Sequence, residues 1–188
     1  MGVDKRHLVL GGQTIFSRSL HALSEVFETV VVSVALDHED LPIGAHRVIR
    51  DEVPGYATLG GLVSVLRAVD TEWICAVACD MPMVNPRVLR YLVECKDDLD
   101  YVIPVLSTGP QPMHACYRKT CLPTFQDQVA KSDLRIQLVM KAPGLRGCQV
   151  PESDLVRVDP RLESFLNVNT PSDYEMVRKL MERRTNFL

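Results

Sequence analysis

Along this chain, short apolar runs without alternation take turns with stretches whose apolar positions recur every three or four residues. The valine-rich run 29–36, the runs 73–78 and 101–105, and the shorter 47–50 predict strands. The run 73–78 has the unbroken apolar character of a strand buried on both faces. Ile15, Phe16, Leu20, Leu23 and Phe27 lie at helical spacing, and Leu62, Val65, Leu66 and Val69 form a second helical stripe after a glycine-containing loop over 52–61. Asn85 and Pro86 supply an N-cap and first residue for a helix running to Cys95. A turn over 107–112 leads to a returning strand at 113–117. Short helices are predicted over 123–130 and 134–140, and a strand over 155–158. Thr170, Pro171 and Asp173 open a last helix that ends near Arg184. Strands alternating with helices predict an α/β fold, with a mostly parallel sheet covered on both faces. No repeat or linker interrupts the 188 residues, so a single domain over 1–188 is expected.

Composition narrows the function classes. Hydrophobic residues make up 46% and charged residues 24%, and the formal net charge is −3, so nothing favours a nucleic-acid backbone or an anionic membrane as partner. No apolar run reaches membrane-spanning length. Six cysteines, with no C-x-x-C pair among them, are expected to be reduced thiols of a cytoplasmic protein rather than a zinc site. Asp80 stands at the C-terminal end of the run 73–78, just before a helix. Ligands bind at that edge of open α/β sheets. A carboxylate there either caps a turn or holds a divalent ion, and Mg²⁺ takes one or two carboxylates together with substrate phosphates.

Four stretches occur in a fixed order: Gly2-Val3-Asp4-Lys5; Arg50-Asp51-Glu52-Val53-Pro54-Gly55 running on to Leu59-Gly60-Gly61-Leu62; Cys79-Asp80-Met81-Pro82; and Phe165-Leu166-Asn167-Val168-Asn169-Thr170-Pro171. Each is weak alone. As an ordered set they resemble the molybdenum cofactor guanylyltransferases across essentially the whole chain. The resemblance implies a nucleotidyltransferase-type, Rossmann-like three-layer α/β/α fold. It also implies transfer of GMP from GTP to molybdopterin with release of pyrophosphate, Mg²⁺ as cofactor, and a molybdoenzyme or its chaperone as a further partner. Two other readings stay open: a related cytidylyltransferase, and a non-catalytic module that binds and delivers molybdopterin.

Residue roles follow from the same resemblance. Lys5 matches a lysine that contacts the nucleotide phosphates, where a mobile point charge follows charge moving onto pyrophosphate; otherwise it is a solvated surface lysine. Asp51 matches a residue of the GTP site, able to accept paired N–H donors from a guanine edge, or else it forms a turn. Gly60 and Gly61 match glycines where backbone approaches the nucleotide, or they form a helix entry. Asp80 matches the Mg²⁺ ligand, and with Lys5 carries the catalytic assignment. Asn167 and Asn169 match paired asparagines on the molybdopterin side; alternate positions of an extended segment point the same way, though turn chemistry before the last helix also accounts for them. His114, in Pro-Met-His, matches a segment lining the acceptor pocket, or it is a structural histidine.

The sequence departs from the family at two places. The family opens with a buried strand and a glycine-rich loop before the lysine, and Met1-Gly2 corresponds to that loop's end. The first strand, both loop glycines and an arginine have no counterpart. Such a strand lies mid-sheet, and leaving its neighbours unpaired costs about 1–3 kcal/mol per buried group. Met1 is therefore expected to be an internal methionine of a longer protein, or the chain to have been cut there. Ser33 stands where the family often has asparagine after the valine-rich strand.

Overall fold

The computed structural model describes residues 8–36, 44–52 and 55–185. It opens on a hairpin of β1 (Val9–Leu10) and β2 (Gln13–Thr14). Gly11 and Gly12 make its turn at φ +58° and +81°, the two positive values a tight two-residue hairpin needs. Thr14 then caps α1 (Ile15–Ser24) by accepting the Ser17 N–H at 3.0 Å. A parallel pair follows, β3 (Val31–Val34) with β4 (Arg47–Arg50). Next come α2 (Ala57–Ala68), β5 (Trp73–Val77) and α3 (Pro86–Glu94). Asn85 caps α3 by accepting the Arg87 N–H at 3.0 Å, as its sequence predicts.

The second half contributes β6 (Tyr101–Leu106), β7 (Gly109–Pro110), β8 (His114–Arg118), α4 (Leu122–Ala130), β9 (Gly147–Pro151), α5 (Glu152–Val158) and α6 (Pro171–Thr185). Strands β5, β8, β6 and β7 lie side by side in that order, and β9 pairs with β6. Helices α2 and α4 bury Leu59, Leu62, Val63, Leu66 and Phe125 against one face, on Tyr101, Ile103, Ala115 and Tyr117. On the other face α3 and α5 bury Val88, Leu92 and Leu155 against Val102, Cys116 and Val150. Tyr101 and Val102 thus face opposite layers, as strand alternation requires.

The α/β class and its three layers agree with the expectation, and several details differ. The pairing is mixed: β3–β4 and β6–β9 are parallel, while β8 runs antiparallel to both β5 and β6. The chain doubles back at Gly109–Pro110, and β8 inserts between two strands that precede it. β3–β4 and the five-stranded sheet are separate ladders among the described residues. Every residue of β5 is half-buried rather than enclosed on both faces, for within those residues its one paired neighbour is β8. The stretch predicted as a loop to Gly61 turns helical at Ala57, because Leu59, Leu62, Val63 and Leu66 make a complete buried stripe. The segment 155–158, expected as a strand, belongs to α5; Glu152 and Asp154 after Pro151 fit a helix N-terminus. The segment 134–140 forms a 3-10 turn at Ile136–Lys141 instead of an α-helix.

Candidate active site

Asp80 lies in the turn that follows β5. Ala78 N–H donates to Met113 O at 2.9 Å, extending the β5–β8 ladder to the turn, and Val77 faces His114 directly across it. On the other side Val168 N–H donates to Asp80 O at 2.9 Å, so the asparagine segment is laid along the same turn. Val168 is fully buried, Asn167 half-buried and Asn169 exposed. The two asparagines therefore leave the extended segment on the side opposite Val168. Asn167 Oδ1 is buried and has no hydrogen-bond partner among the described residues. Three distant parts of the sequence thus come together: the segment carrying Asn167 and Asn169 runs along the Asp80 turn, and His114 lies across from Val77, three residues before Asp80.

The turn is held from below by residues that sequence reasoning missed. Ser19 Oγ donates to Met81 O at 2.9 Å, and Arg18 Nε donates to Pro82 O at 3.3 Å. Ser164 Oγ accepts the Asn85 N–H at 3.0 Å, and Ser164 N–H in turn donates to Asp159 Oδ2 at 2.8 Å. One signal for Ser19 was available: it occupies the buried stripe of α1 four residues after Ile15, where a hydroxyl requires a partner.

His114 is wholly buried, and its ring sits 4.7 Å from that of Phe165. Neither ring nitrogen has a partner among the described residues. Burial alone pushes its pKa down to about 4, so the imidazole is neutral at physiological pH.

A second constellation lies at the C-terminal ends of β3 and β4. Ser33 Oγ donates to Asp51 Oδ1, and Asp51 N–H donates to Val34 O at 2.9 Å. Gly60 and Gly61 are buried within the first turns of α2, so both belong to the helix itself. Helix α2 packs on β3 and β4 and also on the five-stranded sheet. Lys5 lies outside the described residues. All six cysteines are free thiols, and burial raises those of Cys95, Cys121 and Cys148.

Among the described residues no three His, Cys, Asp or Glu side chains converge into a metal cluster. A single carboxylate beside a turn still fits Mg²⁺, which completes its shell with water and substrate phosphates. Within the same residues no helix is long and apolar enough to cross a membrane.

The layered sheet, with carboxylates just beyond β4 and β5, is the architecture of a nucleotidyltransferase. The molybdopterin-guanine dinucleotide biosynthesis protein A of Archaeoglobus fulgidus superposes with a TM-score of 0.79 at 24% identity, over 97% of this chain and 92% of that one. The 2-C-methyl-D-erythritol 4-phosphate cytidylyltransferase of Thermus thermophilus shares the fold at a TM-score of 0.72 and 14% identity, over 95% and 94% of the two chains. Residues 1–143 match the profile of the MobA-like NTP transferase domain, and the chain belongs to that family. A probable molybdenum cofactor guanylyltransferase of Pelotomaculum thermopropionicum is 30% identical over 182 residues, spanning 97% of this chain and 87% of the relative.

Proposed function

We propose that this chain, acting as one domain in the cytoplasm, transfers GMP from GTP to molybdopterin. An oxygen of the molybdopterin phosphate attacks the α-phosphorus of GTP in line. The new P–O bond forms as the bond to the β-phosphate oxygen breaks, and pyrophosphate leaves. An acceptor that is already a phosphate needs little general-base assistance, so the protein's work is positioning and electrostatics.

Asp80 is the residue that would hold Mg²⁺, which when bound supplies positive charge to the triphosphate and the leaving pyrophosphate. Lys5 is assigned to the phosphates on family resemblance. Asp51 is assigned to the guanine edge, with Gly60 and Gly61 allowing α2 to come close. Asn167 and Asn169 bind the acceptor through neutral amides, and His114 backs that pocket as a neutral imidazole. The observation that supports this reading is the Val168 N–H to Asp80 O bond, which lays the segment carrying Asn167 and Asn169 along the turn of Asp80. A molybdoenzyme or its chaperone is the recipient of the product.

Pyrophosphate release is the test. The chain, given molybdopterin, Mg²⁺ and either GTP or CTP, is expected to release pyrophosphate with GTP and to form the guanine dinucleotide. Turnover with CTP in place of GTP would establish the cytidylyl reaction instead. Molybdopterin binding without turnover on either nucleotide would establish a delivery module.

A further inference from the structure

Ser33 and Asp51 occupy one face of the β3–β4 ladder. Ser33 stands opposite Ile49, and Asp51 follows two residues later on the same strand line, so its side chain leaves on the same side. The Ser33 hydroxyl donates to Asp51 Oδ1. Gly61 closes over this pair from α2. A Cβ built on Gly61 would lie 2.9 Å from Ser33 Oγ and 3.2 Å from Asp51 Oδ1, both inside ordinary van der Waals separation. Its backbone is helical, so what the missing side chain supplies is room rather than conformational freedom.

We infer that Ser33 is a positioning residue for the nucleobase: its hydroxyl fixes the Asp51 carboxylate, and Gly61 leaves the space in which the pair is held. The inference rests on the proposed assignment of Asp51 to the guanine of GTP. An ionised carboxylate offers about four lone-pair sites, and Ser33 engages one of them. The others remain for a base with two adjacent N–H donors, which guanine presents at N1 and at its exocyclic amino group. The terminal torsion of an unbound aspartate is broad, and the serine hydroxyl removes that freedom before the base arrives. Ser33 acts through Asp51 and need not touch the base.

The test compares GTP with inosine triphosphate, whose base lacks the amino group, as donors for the wild-type chain and for Ser33→Ala, Ser33→Thr and Gly61→Ala. Wild type is expected to prefer GTP. Ser33→Ala should raise KM for GTP about tenfold, leave kcat within about twofold, and narrow the preference over the inosine nucleotide at least about threefold. Ser33→Thr, which keeps the hydroxyl, should restore most of the preference. Gly61→Ala should lose preference like Ser33→Ala, although alanine favours a helix over glycine. A GTP-over-inosine ratio unchanged in Ser33→Ala would overturn the inference, as would equal damage from Ser33→Ala and Ser33→Thr. A wild type that turns over GTP without preferring it would remove the base-reading role of Asp51 and the inference with it. A wild type inactive with GTP would instead overturn the underlying guanylyl-transfer reading.

Discussion

Replacing His114 by leucine should make the protein less sensitive to acid and at the same time weaken its grip on the acceptor. The imidazole is fully buried, its two nitrogens have no partner among the described residues, and burial lowers its pKa from 6.5 to about 4. Between those two pH values the unfolded chain binds a proton that the folded chain does not. Stability is therefore complete above the unfolded value, falls as pH drops through the window, and is lost from this source by the folded value. At about 1.36 kcal/mol per pKa unit, the full window corresponds to about 3 kcal/mol. Leucine has a similar volume and no polar atom, so near neutral pH the variant should be as stable as wild type or about 1 kcal/mol more stable. Denaturant unfolding of both proteins, repeated from neutral pH down to about pH 4, isolates the histidine as the difference between two slopes. Parallel slopes would refute the reasoning, for they would mean that the ring is solvated or protonated when folded. The same variant, assayed for transfer, should show a raised KM for molybdopterin. A buried base kept at a cost to stability is expected at a functional site, where stability and activity trade off.

Three further outcomes follow from the packing. Gly147→Ala should destabilise the fold by about 3 kcal/mol, seen as a lowered melting temperature, because a Cβ there would collide with the Tyr101 ring. Asn167→Ala should raise KM for molybdopterin about tenfold while leaving KM for GTP and the melting temperature unchanged, since its carbonyl oxygen bonds nothing among the described residues. Asp100→Asn should cost about 1–3 kcal/mol in denaturant unfolding near neutral pH. Burial pushes this carboxyl up, but Thr120 Oγ1 and the Arg146 N–H, at 2.5 and 2.7 Å, outweigh it and hold it below the usual carboxylate range. Its contribution is present above the unfolded pKa and disappears as pH falls through the lowered one, so the variant should approach wild type in strong acid.

Much of the fold was legible where the signal was local. Asn85-Pro86 announced α3, and Thr170 with Asp173 announced α6, whose cap bonds run from Thr170 N–H and Asn169 N–H to Asp173 Oδ2 at 2.8 and 3.0 Å. Non-local determinants were harder to read. Strand β9 has no distinctive sequence and exists because Gly147 lets it lie against Tyr101. The short apolar segment 155–158 fits either a strand or a helix, and it is helical because Leu155 packs under α3. The placement of His114 opposite Val77, three residues before Asp80, depends on β8 running back beside β5, which no local pattern specifies. For the site, family resemblance named the residues, while the bonds of Ser33 and Ser164, and the partner of the Ser19 hydroxyl, emerge only from tertiary geometry.

The proposed transfer depends on a metal-assisted GTP site at the turn carrying Asp80. Calorimetric titration of GTP into the chain, with and without Mg²⁺, tests it most directly. Binding in the micromolar range that requires Mg²⁺ and disappears in Asp80→Ala is expected. Binding that is indifferent to both the metal and the substitution, or its absence from the folded chain, would contradict it.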